Sequence, residues 1–166
     1  MRLVRISWCA LPVVFAALAT AVPVRAEELA LKAPSPSRIL LDLQRREISV
    51  VLDGRMRGSW SVAIGDPKTP TPQGEFSILT KTINPIYVSE KSGQRKELSG
   101  PTSPIGDRYL AFHRNGRGEF GIHGTPWPHW VKTRAAVSLG CVRMLNTHVR
   151  QLFDLVDVGT TLEIRG

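Results

Sequence analysis

Residues 122–144 read IHGTPWPHWVKTRAAVSLGCVRM. Two glycine-bearing turns stand in this stretch, one at His123-Gly124 and one at Gly140-Cys141. A thiol beside glycine, within folding reach of a histidine that glycine also flanks, has the pattern of a cysteine nucleophile with its base. Thiolate is the attacking form, and a nearby imidazole both depresses the thiol pKa and later returns a proton to the leaving group. Cys141 and His123 are therefore the candidate nucleophile and proton carrier. The plainer alternatives are an inert buried cysteine and a histidine that only satisfies turn backbone groups. Ser138-Leu139-Gly140-Cys141 predicts a turn whose consecutive amides point one way and can hold a developing oxyanion. Trp127 and Trp130 read either as binding platforms or as core anchors. Arg143 reads as a partner for a substrate carboxylate, or equally for a buried acid such as Asp154. Of the other histidines, His129 belongs to the rim, His113 to a strand face and His148 to the first turn of a helix.

Outward from this stretch the chain reads as short strands. Ile39, Leu41 and Leu43 alternate with other residues, residues 47–52 are rich in β-branched side chains, and the polar residues 44–46 between them predict a hairpin. Asp53-Gly54 is a second turn, because both residues tolerate positive φ. Residues 59–64 place Trp60, Val62 and Ile64 on one face of a half-buried strand. Residues 65–76, GDPKTPTPQGEF, carry three prolines and two glycines, which excludes a central strand and predicts a stiff loop into a strand at 75–80. Such a loop either lines a site or merely connects. Residues 83–108 are polar and punctuated by proline and glycine, a length that predicts a lid over substrate with a small hairpin around Ile86, Tyr87 and Val88. Strands at 108–113 and 119–122 flank an Asn115-Gly116 turn. After the motif, Asn146 is expected to cap a helix whose apolar positions are Val149, Leu152, Phe153 and Val156, and a last strand spans 160–164. Many strands and one C-terminal helix predict a mainly β, sandwich-like or partly closed domain.

Residues 1–26 have the layout of an export signal: Arg2 and Arg5, an apolar run, then Val24-Arg25-Ala26 as a small-residue cleavage site. Pro12 and Pro23 interrupt the run and argue against a retained anchor. Removing 26 of 166 residues leaves 140, enough for one domain at 37–165 after a linker at 27–36. Cys9 leaves with the signal, so Cys141 becomes the one thiol of the mature chain. The 22 basic residues fall to 19 against 14 acidic ones, a net charge near +5 with no long run of one sign. That suits weak attraction to an anionic envelope polymer rather than a nucleic-acid groove, and no nucleic-acid motif is present. No metal is expected either, since no H-E-x-x-H or similar spacing occurs.

Together these motifs resemble the L,D-transpeptidase catalytic domain, also called YkuD-like or ErfK-type. That family's signature is a histidine, a spacer, then Ser or Thr, any residue, Gly and Cys, followed by a small apolar residue and Arg or Asn. Here it falls on His123 and on SLGCVRM at 138–144; TPTPQGEF, SPIGDRYLAF and LNTHVRQLFDLVDVGTTLEI extend the likeness over roughly residues 37–165. The resemblance implies a β-sandwich-like domain of the bacterial envelope or periplasm that acts on peptidoglycan stem peptides without a cofactor. It implies that Cys141 attacks the carbonyl of the third stem residue and expels the fourth, with His123 as base and acid. The carbonyl of Gly124 would orient the imidazole, the amides of Leu139, Gly140 and Cys141 would form the oxyanion hole, and Ser138, Arg143, Trp127 and Trp130 would lie against substrate. An acceptor amine then resolves the thioester to a 3→3 crosslink, or attaches an envelope lipoprotein, on a monomeric enzyme. Leu139 departs from the family, which often has His or Arg there; if the hole uses backbone amides, leucine leaves the chemistry intact.

Two other outcomes share these residues. An L,D-carboxypeptidase or endopeptidase would use the same acyl-enzyme with water as acceptor. An inactive peptidoglycan-binding domain would use only the Trp residues and the basic charge, and Cys141→Ala would leave it unaffected.

Overall fold

The computed structural model describes residues 37–89, 95–116 and 118–166. The export signal at 1–26, the linker at 27–36 and Cys9 lie outside the described residues. The chain order is β1 (Arg38–Asp42), β2 (Glu47–Leu52), β3 (Arg55–Ser61), β4 (Ile64–Gly65), β5 (Gly74–Ser77), β6 (Thr80–Ile83), β7 (Tyr87–Ser89) and β8 (Lys96–Leu98). There follow β9 (Arg108–Asn115), β10 (Gly118–His123), a short helix α1 (Pro128–Lys132), β11 (Ala136–Ser138), β12 (Val142–Arg143), α2 (Asn146–Leu155) and β13 (Thr161–Arg165). The domain is mainly β with sparse helices, as its sequence predicts; α1, β11 and β12 are elements that the sequence pattern does not signal.

Five strands in the order β3-β2-β1-β13-β5 make one sheet and four in the order β12-β10-β9-β6 make the other. Period-2 alternation sends Ile39 and Leu41, Ile48 and Val50, and Leu162 and Ile164 inward from the first sheet. Leu110, Phe112, Phe120, Ile122 and Val142 come to the same core from the second sheet, and Val149, Leu152 and Phe153 from α2. Helix α2 packs on β9 and β10, so the strands that lead to His123 are backed by its apolar face. The first and last strands, β1 and β13, pair in parallel, tying the two ends of the domain together in one sheet.

Three local expectations change. The strand expected at 75–80 is two strands in different sheets: β5 pairs with β13 and β6 pairs with β9. The chain crosses at buried Ile78, whose N–H donates to the Thr160 carbonyl, while that of Leu79 donates to Ala111. The strand expected at 59–64 starts earlier, at Arg55, and breaks at Val62-Ala63, where Ala63 exchanges two backbone hydrogen bonds with Arg143. Asn146 is the first helical residue rather than the cap: Leu145 holds the cap position, and the Asn146 side chain donates to the Pro101 carbonyl at 2.9 Å. Within residues 83–108, β7 and β8 form the antiparallel hairpin expected there, with Val88, Lys96, Glu97 and Leu98 exposed.

Candidate active site

The site lies where β10 ends and β12 begins. These strands are parallel neighbours with Ile122 opposite Val142 and His123 opposite Arg143, so the residue before β12, Cys141, stands level with Gly121, two residues short of His123. Met144 closes the pairing by donating its N–H to the His123 carbonyl at 2.9 Å. His123 is buried, 3 % exposed, and its Nδ1 lies 2.6 Å from the carbonyl oxygen of Gly124. A carbonyl only accepts, so Nδ1 carries the hydrogen and the lone pair of the neutral ring is on Nε2. Burial lowers the His123 pKa to about 4, against the opposing effect of the Gly124 carbonyl, which favours the charged ring. Burial also raises the pKa of the half-buried Cys141 thiol, although the Gly121 N–H, the Tyr109 hydroxyl and the Arg143 charge favour its thiolate. Thiol and imidazole are therefore each neutral at rest.

The turn that carries the thiol is built from Ser138. Its hydroxyl donates to the Cys141 carbonyl at 2.6 Å and accepts the Gly140 N–H at 3.1 Å. Gly140 sits at φ +115, and an added Cβ would come within 2.5 Å of the Phe120 ring, so conformation and space both require glycine there. The Gly140 amide is thus engaged with Ser138. Among the described residues the Leu139 and Cys141 amides have no hydrogen-bond partner. The proline-rich loop does more than connect: Asp66 N–H and the Thr69 hydroxyl both donate to the Ser138 carbonyl, at 2.8 and 3.0 Å, and buried Thr71 accepts the Gly65 N–H. Proline fixes the loop backbone, and the loop in turn fixes the nucleophile turn.

The Leu139 side chain is 83 % exposed. Trp127 and Trp130 are not core anchors; they pack on each other at 4.8 Å, and Trp127 is 38 % exposed. Arg143 does not pair with Asp154. Its guanidinium lies 4.6 Å from the centre of the Trp130 ring, and its Nε and Nη1 are buried without a hydrogen-bond partner among the described residues. Helix α2 uses a different acid: Arg150 bonds buried Asp107 at 2.8 Å. Two residues that the sequence pattern does not single out converge on the thiol. Tyr109 stacks on His123 with centroids 5.8 Å apart and planes 7° from parallel, and its hydroxyl faces Cys141 and Glu119, whose backbone carbonyl accepts from the thiol at 3.9 Å. The one available signal was the placement of Tyr109 on the same face of its strand as Ala111 and His113.

A mainly β domain with a thiol and an oriented imidazole on adjoining strand ends has the layout of a cysteine acyl-transfer enzyme. The comparisons make the assignment specific. The model for the L,D-transpeptidase catalytic domain (YkuD) matches residues 36–164, and the chain belongs to that family. The Bacillus subtilis protein YqjB is 36 % identical to it over 135 residues, covering 79 % of this chain and 72 % of that one. Among solved structures, an L,D-transpeptidase from Mycobacterium smegmatis shares the fold with a TM-score of 0.64 at 20 % identity, over 78 % of this chain and 58 % of that one. L,D-transpeptidase 3 from Mycobacterium tuberculosis does so with a TM-score of 0.63 at 18 % identity, over 78 % and 61 %. The chain therefore spans about three-fifths of these solved relatives.

Proposed function

We propose that this domain is a peptidoglycan L,D-transpeptidase that works through a Cys141 acyl-enzyme on tetrapeptide stems. The observation that carries this is the Nδ1 contact of His123 with the Gly124 carbonyl, which leaves Nε2 as the basic atom of a ring that shares its neighbours Tyr109 and Arg143 with the Cys141 thiol. As Cys141 attacks the carbonyl of the third stem residue, Nε2 takes the thiol proton and the carbonyl oxygen becomes an oxyanion. The unengaged amides of Leu139 and Cys141 are the donors for that oxygen; the amide of Gly140 serves Ser138 instead. Collapse breaks the bond to the fourth residue, whose nitrogen receives the proton from His123, and a thioester remains. The amine of a second stem then attacks the thioester, His123 takes its proton, and the sulfur leaves, giving a 3→3 crosslink. An amine on an envelope lipoprotein would enter by the same route.

Arg143 is the anchor for a stem carboxylate: it stands two residues from the nucleophile with two nitrogens unpaired and Trp130 beneath it. The β7–β8 hairpin supplies the cover, since Tyr87 at its base lies close enough to Arg143 to act on its charge. The enzyme acts as a monomer outside the cytoplasm once residues 1–26 are removed; intact-mass measurement of envelope-purified protein tests that cleavage, and a retained Cys9 would refute it.

The test of function is mass analysis of products from purified disaccharide-tetrapeptide. Dimers joined through the third residues, with release of the fourth, are expected. Tripeptide without dimer at every acceptor concentration would make the enzyme an L,D-carboxypeptidase. Binding without any product, unchanged by Cys141→Ala, would make it an inactive binding domain.

A further inference from the structure

The sequence of steps above gives no task to Tyr109 or Glu119, although both lie against the thiol. Tyr109 enters from β9 directly opposite His123 in the β9–β10 register. Its ring fills the space of a side chain at residue 121: an ideal Cβ on Gly121 would come within 2.3 Å of Tyr109 Cζ and 2.6 Å of its hydroxyl oxygen. Cys141 stands level with Gly121 across the β10–β12 pair and Glu119 lies two residues back along β10, so the hydroxyl faces the Cys141 side chain and the Glu119 carboxylate. That carboxylate is held from the far side by Arg114, through Nε at 2.7 Å and Nη2 at 2.6 Å.

Donor and acceptor counting fixes the direction of this chain. A carboxylate only accepts, a phenol has one proton to give, and a thiol has one proton of its own. At rest the Cys141 S–H donates to the Glu119 carbonyl oxygen, 3.9 Å away, which leaves the Tyr109 O–H to give to the Glu119 carboxylate. Once Nε2 of His123 removes the thiol proton, sulfur becomes an acceptor, and the Tyr109 proton can turn to it. The other groups facing the sulfur are the Gly121 N–H, the carbonyl and carboxylate of Glu119 on β10 and the Arg143 charge on β12.

We propose that Tyr109 is a further catalytic residue of this site, whose single O–H turns from Glu119 to the sulfur once the thiol proton has gone, with the Glu119 charge opposing that turn. This rests on Cys141 being the nucleophile. Tyr109 keeps its own proton throughout; the thiol proton goes to His123.

Tyr109→Phe keeps the ring and its stack on His123 and removes only the hydroxyl. The measurement is the rate of Cys141 alkylation by iodoacetamide against pH, followed on the peptide that contains Cys141 in the full chain, together with release of the fourth stem residue. For Tyr109→Phe the alkylation midpoint moves to higher pH, and kcat falls about tenfold with KM little changed, as loss of one hydrogen bond to a charged group implies. For Glu119→Gln the midpoint moves to lower pH and alkylation at neutral pH quickens. In the double variant that downward move is smaller than in Glu119→Gln alone. Alkylation profiles of Tyr109→Phe that coincide with wild type, or a Glu119→Gln midpoint that moves up, would overturn the proposal. Iodoacetamide needs no peptidoglycan, so shifted profiles without dimer formation would remove the transpeptidase assignment and leave this role of Tyr109 in place.

Discussion

His123 Nδ1 and the Gly124 carbonyl oxygen are 2.6 Å apart, a side chain bonded to the backbone of its own neighbour inside a buried strand end. The contact fixes which ring nitrogen is basic, and burial fixes the charge: neutral at any pH well above about 4.

That charge state predicts an acid sensitivity. The folded pKa, about 4, lies below the ordinary histidine value of 6.5. Between the two the unfolded chain binds the proton and the folded chain does not, so stability present above 6.5 drains away as pH falls toward 4. The loss from this one group is about 3 kcal/mol. Urea unfolding at pH 7 and pH 4.5 should show a smaller decline in His123→Gln than in wild type. Equal declines would mean that His123 is not held neutral. The acid limb of kcat/KM should likewise fall well below pH 6.5.

Gly121 predicts a packing penalty at the site. A methyl there collides with the Tyr109 ring, which is itself backed by His123. Gly121→Ala should cost about 1–3 kcal/mol, the usual range for overpacking. Denaturant titration reads the loss, and kcat should drop in the same variant because Tyr109 must leave the thiol. An unchanged midpoint with full activity would show that the ring moves aside freely.

Leu139 predicts a change of product rather than of rate. Its side chain is 83 % exposed, while its amide belongs to the backbone and survives substitution. Leu139→Ala should alter stability by less than about 0.5 kcal/mol. Acylation should fall only slightly, and the ratio of hydrolysed to crosslinked product should rise as an apolar shield beside the thioester is lost. Product ratios by mass analysis decide this. Loss of acylation as complete as in Cys141→Ala would show that the leucine side chain itself is needed.

The β7–β8 hairpin predicts protection on binding. Amide exchange at Tyr87–Ser89 and Lys96–Leu98 should slow when a stem-peptide analogue is present, with little change in β1 or β13. Equal exchange with and without the analogue would make the hairpin a bystander.

How far the sequence could be read follows from the range of each signal. Alternation in RILLD, EISVVL and TLEIR is local, so the core-facing side of β1, β2 and β13 was legible residue by residue. So was the apolar face of α2 at Val149, Leu152 and Phe153. The crossing of the chain between sheets at Ile78-Leu79 was not, because it depends on which distant strand each half meets. The same holds at the site. His123 and Cys141 stand out by their glycine neighbours, whereas Tyr109 and Glu119 reach the sulfur through the β9–β10 register, which shifts at Phe120/Gly121. No residue period encodes such a shift. Arg143 was ambiguous for a related reason, since two possible partners could be named and the fold sets it against Trp130 rather than Asp154.

The central claim is that Cys141 carries the acyl group and His123 carries its proton. The most direct measurement is the mass of the protein after brief mixing with tetrapeptide stem, followed by mapping of the modified peptide. Wild type should gain the stem less its fourth residue, on Cys141 as a thioester that hydroxylamine removes. Cys141→Ala should gain nothing, and His123→Ala should acylate far more slowly. An adduct that persists in Cys141→Ala, or maps to any other residue, would contradict the account.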